Sequence, residues 1–237
     1  MRALRAGSVV DRRARAPLLD RLAAAGAAAA GALLATWFPP LALVVGRSPA
    51  LVAARAGLLE LADGPGAVLV EGESGTGRTH LARALHALSG RPALVLASAT
   101  NPPVAHEGEL RELPLGGTCY LGDLDPEDGW LEPYAAACAR RGTRLIVGAL
   151  PGLAWPEGSF AARLALPPLR ARPEDLGPLL THLLARRGVL RSYGEADLAP
   201  LQAYEWPGNV RELDFLVAAA SDLAADPVEL FATWLAA

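Results

Sequence analysis

An apolar run, AVLVE at 67–71, passes directly into the glycine-rich segment GESGTGRT at 72–79 and then into an amphipathic stretch at 80–88. The first reads as a buried strand and the last as a helix, so strand, glycine loop and helix follow one another without a gap. Further strand candidates are ALVLAS at 93–98, TCYLGDL at 118–124 and RLIVGAL at 144–150, with a helical segment at 131–141 between the last two. This alternation predicts an α/β fold with a doubly wound, mostly parallel sheet. Upstream, LVAARAGLLEL at 51–61 has helical spacing and is closed by the breakers Asp63-Gly64-Pro65-Gly66. After Pro167-Pro168 the periodic segments are helical only, which predicts a small helical subdomain.

The run Gly72-Glu73-Ser74-Gly75-Thr76-Gly77-Arg78-Thr79 matches the phosphate-loop pattern GxxxxGK[ST] in spacing and in flanking elements, with Arg78 in place of Lys. In such a loop, backbone N–H groups around Gly75 and Gly77 face the phosphates, and glycine leaves that approach open. The helix that follows adds its positive end, and Thr79 would place its hydroxyl on a magnesium ion. A Gly/Ser-rich turn without a ligand is the alternative. Arg78 brings a bulkier planar fork where Lys would insert a compact charge, a change compatible with binding and unfavourable to catalysis. Every basic side chain in the Lys+Arg count of 22 is Arg, and Ile146 is the only Ile, so pressure on composition also accounts for the replacement.

At 237 residues the chain suits one α/β domain with an appendage or two small domains, and it can bury a core. A net charge of -3 gives no broad attraction to nucleic acid or anionic membranes. Cys119 and Cys138 lack disulfide or metal spacing, which fits core residues in a reducing cytoplasm. The uncharged stretch 22–45 is long enough to cross a bilayer, but it is rich in Ala and Gly and broken by Pro39-Pro40, so no membrane span is expected. The Arg-rich start, interrupted by Asp11 and Asp20, does not read as a cleavable signal. One or two loose helices are expected there. His80, His86, His106 and His182 are too scattered to suggest a metal site.

Four collinear segments resemble the sigma-54-dependent transcriptional activators (bacterial enhancer-binding proteins). GESGTGRTHLARALHALSGR at 72–91 is similar to the family's GESGTGKE loop and its helix ending in H-x-x-S-x-R. VGRSPA at 45–50 resembles the entry motif that lies along the adenine, which makes Val45 and Gly46 expected nucleotide contacts. LPPLRARPEDLGPLLTHLL at 166–184 and YEWPGNVRELDFLVAAA at 204–220 resemble the family's LPPLRERxEDIxxLxxxFL and YxWPGNVRELxNxxxxA. The resemblance implies a P-loop AAA+ three-layer sandwich followed by an all-helical lid, with ATP or ADP bound and magnesium as its companion ion. Its partners would be other AAA+ subunits or regulatory proteins, a homo-oligomer among them. Domains are then expected at 43–168 for the nucleotide-binding part and 169–225 for the lid. An Arg- then Ala-rich segment at 1–42 precedes them and a short tail at 226–237 follows.

Arg211 corresponds to the sensor II arginine, which reaches the nucleotide phosphates from the lid. The local alternative is a surface Arg paired with Glu212 or Asp214, and Asn209 is expected to cap the helix that carries it.

The departures are as informative. GGTCYLGDL at 116–124 resembles the Walker B strand GGTLFLDEI, yet Gly122 stands where the magnesium-linked Asp belongs and Asp123 where the catalytic Glu belongs. Asp123 alone would then serve metal and catalysis, unless the register slips by one residue, which restores the metal-linked Asp and still loses the Glu. Residues 101–115 contain no GAFTGA, the loop that touches the sigma factor. Sensor I ends in Gly148-Ala149-Leu150 rather than in a polar residue, and the arginine-finger segment is shortened, leaving Arg163 as its candidate or as an ordinary solvated side chain. No DNA-reading helix-turn-helix is read after Ala220. Three functions remain in play: a nucleotide-binding regulator with impaired hydrolysis, an oligomeric ATPase of altered geometry, and a nucleotide-free interaction module.

Overall fold

The computed structural model describes residues 39–98 and 113–235. The expected N-terminal helices, most of the uncharged stretch and most of the segment lacking GAFTGA lie outside the described residues. After a 3-10 turn at Pro39–Leu43 comes helix α1, Pro49–Leu61, started by Pro49 and capped by Ser48, whose side chain accepts from the Leu51 amide. Then follow β1 (Val68–Gly72), α2 (Arg78–Ser89), β2 (Leu94–Ser98), β3 (Thr118–Gly122), α3 (Leu131–Arg140), β4 (Arg144–Ala149) and β5 (Ala162–Leu166).

The five strands form one sheet in the order β2-β3-β4-β1-β5, and every pairing is parallel. Alternation along the strands builds two cores. Val68, Val70, Tyr120, Ile146, Leu164 and Leu166 face α1 and α2, while Leu69, Cys119, Leu121, Leu145 and Val147 share the other face with Tyr134 and Cys138 of α3. Helices on both faces give the three-layer sandwich expected. β5 was not among the strands expected from apolar runs. As an edge strand it buries only Leu164 and Leu166 while Arg163 and Ala165 stay exposed, so no continuous apolar run marks it.

The lid follows two 3-10 turns and comprises α4 (Leu176–Ala185), α5 (Glu195–Gln202), α6 (Asn209–Asp222) and α7 (Pro227–Leu235). Its core gathers Leu180, Leu201, Leu213 and Val217 around Trp206. The segment expected to be a short tail instead forms α7. Phe231 is buried there and stacks on Trp206 with ring centroids 5.3 Å apart. Asp226 starts this helix by accepting from the Val228 and Glu229 amides, so the acidic residues after Ala220 close a helical bundle. No helix among the described residues is long and apolar enough to cross a membrane.

Candidate functional site

β1 sits between β4 and β5, while the chain leaves it for the far edge of the sheet. A crevice therefore opens beyond its carboxyl end, where ligands bind in open parallel sheets. The glycine loop fills that end. Gly75 and Gly77 adopt φ of 80° and 112°, conformations that L side chains rarely adopt. A Cβ on Gly75 would also lie 2.2 Å from the Gly208 carbonyl oxygen of the lid. Inside the loop, Thr76 donates its hydroxyl to the Glu73 carbonyl at 2.8 Å. α2 begins at Arg78 with Gly77 as its N-cap, and no side chain caps it; His80 and Leu81 donate to the Gly77 carbonyl, which leaves the Arg78 and Thr79 amides for an anion.

The lid is stitched to this loop. Val210 N–H donates to the Gly75 carbonyl at 3.1 Å, and Asn209 donates to the Ser74 carbonyl at 3.0 Å and to Glu73 Oε2 at 3.2 Å. Asn209 Oδ1 accepts from the Leu169 amide at 2.7 Å. The expectation that Asn209 caps its helix is overturned. Its φ is 53° and its side chain is buried against the loop, so the helix start is met by Glu212, which accepts from the Gly208 amide at 2.8 Å. Arg170 pairs with Glu73 through both carboxylate oxygens, at 2.5 and 2.9 Å, and these bonds hold the Glu73 carboxyl below its usual range. Behind them, buried Arg172 donates to the Thr76 carbonyl at 2.8 Å and lies 3.8 Å from Asp175. Asp175, fully buried, accepts from the Arg47 and Ser48 amides and from the Ser48 hydroxyl. The entry segment, loop and lid thus share one buried network. Arg55 completes it by donating to the Val44 and Gly46 carbonyls, which positions Val45.

Between sheet and lid lies a cavity of about 660 Å³, lined by Val45, the loop from Gly75 to Thr79, Tyr120, Asp123, His182 and Arg211, among others. That volume suits a small-molecule site. Arg211 donates to Ser74 Oγ at 3.1 Å and faces the loop, while its two local alternatives are engaged elsewhere: Glu212 at Gly208, and Asp214 with Arg187 at 2.9 Å. Arg78 is buried and its Nη2 lies 2.6 Å from Asp123 Oδ1. The Tyr120 hydroxyl lies toward Thr79, and burial pushes Tyr120 above its ordinary pKa.

This strand order, loop and lid have relatives. A family model described as the Sigma-54 interaction domain matches residues 44–107, and one described as the AAA+ ATPase lid domain matches residues 170–229. The domain belongs to the AAA+ family of sigma-54 activators. The chain is 30% identical to the Nif-specific regulatory protein of Azospirillum lipoferum over 80% of its own length and 38% of that protein's. It is also 30% identical to the regulatory protein HrpS of Pseudomonas savastanoi pv. phaseolicola, over 62% of this chain and 65% of HrpS. It thus spans less than two thirds of either regulator. Among solved structures, NtrX from Brucella abortus in complex with ATP superimposes with a TM-score of 0.61 at 22% identity, covering 77% of this chain and 54% of NtrX, a likeness of fold.

As a sigma-54 activator domain the chain keeps some expected site residues together and separates others. Val45, Gly75, Thr76, Gly77, Arg78, Thr79, Asp123 and Arg211 all line the cavity. Gly72 ends β1, and Glu73 and Ser74 face the lid rather than the cavity. Gly46 lies behind Val45, where its Cβ position is blocked by the Asp175 carboxylate at 2.7 Å. Arg163 is exposed on edge strand β5, away from this cavity. Sequence reasoning missed Tyr120, Arg172 and Asp175. It also set aside His80 and His182, which the fold brings to one rim, where burial holds both below the ordinary histidine value and neighbouring Arg186 adds to the effect. The signal available for Arg172 and Asp175 was their place inside the LPPLR…ED motif.

Proposed function

We propose that the chain is a nucleotide-binding regulator of the sigma-54 activator family, holding ATP or ADP at its loop, impaired in hydrolysis, and acting in the cytoplasm on transcription through protein partners. The observation that carries this reading is the state of Asp123. It is the carboxylate at the end of β3, and its Oδ1 is engaged 2.6 Å from Arg78 Nη2. Phosphoryl transfer needs one group to hold the metal and another to orient water, and Gly122 supplies neither. The crevice geometry supports binding: loop glycines in the left-handed region, an uncapped helix start and Arg211 above them. Without GAFTGA between 101 and 115, partners other than the sigma factor are the reading, either other AAA+ subunits or regulatory proteins.

Two measurements test this. Saturating ATP or ADP should raise the melting temperature, since a ligand at about 100 Kd stabilises the native state by about 2.7 kcal/mol. Phosphate release should stay at background and be unchanged by Asp123→Ala. The competing oligomeric ATPase rests on Arg163, whose exposure on edge strand β5 suits presentation to a neighbouring subunit. Turnover that rises with protein concentration and is lost in Asp123→Ala would establish that reading instead.

A further inference from the structure

Tyr120, Gly122 and Gly148 form one unit at the floor of the cavity. Residues 120 and 122 leave β3 on the same face, toward α2. A Cβ on Gly122 would lie 3.1 Å from the Tyr120 ring and 3.4 Å from its hydroxyl, and a Cβ on Gly148 would lie 2.2 Å from that hydroxyl. The phenol therefore fills the space that a side chain at 148 would need and crowds one at 122, and its hydroxyl lies toward Thr79, the side chain that would ligate magnesium. Asp123 has φ of 57°, and its carboxylate is taken by Arg78. A hard divalent cation, which needs oxygen ligands, meets here no acid at 122 and a carboxylate at 123 whose Oδ1 is held 2.6 Å from a guanidinium. Magnesium does not fit these residues.

Charge for a polyphosphate is nevertheless present. Arg78, Arg172, Arg186 and Arg211 line the cavity against Asp123 and Asp214, and Asp214 is already paired with Arg187. Arg78 is 7% exposed, and its Nη1 is buried without a hydrogen-bond partner. An unmatched buried guanidinium N–H beside a phosphate-loop cradle calls for an anionic acceptor.

We propose that this pocket takes a nucleoside di- or triphosphate as a metal-free anion, with Arg78 and Arg211 supplying the charge that magnesium would supply and Tyr120 closing the metal position. The inference rests on the nucleotide-binding reading above and specifies the form of the ligand. Its test is isothermal titration of the full chain with ADP and with ATP, once in excess magnesium and once in EDTA. The expected result is the same Kd in both buffers, within about threefold, and a loss of about tenfold or more in EDTA for Arg78→Gln. Wild-type affinity about tenfold or more tighter with magnesium than in EDTA would overturn the inference and leave the nucleotide-binding reading standing. No binding in either buffer would overturn both, and Arg78→Gln binding like wild type in EDTA would remove Arg78 from its assigned role.

Discussion

The seam between loop and lid and the floor formed by the end of β3 border the same cavity and follow different rules. At the seam, charged and polar groups far apart in sequence are hydrogen-bonded to one another: Asp175 holds Arg47 and Ser48, Asn209 holds Leu169 and Ser74, and Arg172 holds Thr76. Residues that match the family's motifs supply most of these contacts. At the floor volume decides: glycines at 122 and 148 leave room for one phenol. The contrast shows that one wall of a cavity can be set by directional polar contacts while another is set by the volume of a single side chain.

Breaking the seam should have the largest effect. Asp175→Ala leaves buried Arg172 without its carboxylate and should cost about 3–5 kcal/mol, read as a lower urea midpoint. An unchanged midpoint would show that the network is ornamental to stability. Next, Gly75→Ala places a Cβ against the Gly208 carbonyl in a left-handed backbone. A backbone obstacle cannot swing aside, so about 3 kcal/mol of destabilisation is expected, together with loss of the nucleotide-induced rise in melting temperature.

The floor should respond more softly, because the obstacle there is the end of a side chain. Gly148→Ala should cost about 1–2 kcal/mol in the Tyr120 background and clearly less when combined with Tyr120→Leu, which removes the ring edge that the new Cβ would meet. Strict additivity of the two substitutions would separate Gly148 from Tyr120 and dissolve the contrast. The smallest effect is on pH dependence. Burial first, and nearby guanidinium groups second, hold His80, His86 and His182 below the ordinary histidine value. The unfolded chain then binds more protons than the fold below about pH 6.5, so stability is complete above that pH and declines as pH falls. The melting temperature should drop between pH 7.5 and 5.5, and His80→Gln should flatten the drop; equal melting temperatures at both pH values would refute it.

The strand, glycine loop and helix were legible because they are consecutive residues whose backbone preferences are local. The four strands expected from apolar runs were found within a residue or two of their observed ends. β5 escaped notice because an edge strand needs only one buried face, and α7 because a short acidic stretch does not announce that Phe231 will stack on Trp206. Arg211 was recognisable from its motif, yet its choice of Ser74 over Glu212 or Asp214 depended on where those acids found other donors. Asn209 misled because its residue type favours capping, while its buried position requires it to satisfy three backbone and side-chain groups of other segments.

By itself the order of amino acids determined a parallel α/β sheet with a phosphate-type loop, a helical lid and a β3 strand with Gly122 before Asp123, since each of these is written in adjacent positions. The three-dimensional packing alone decided that Ser48 and Asp175, or Tyr120, Thr79 and Gly148, would meet. Those contacts depend on strand order and helix placement, and a buried polar or bulky group settles only when every neighbouring element has taken its position.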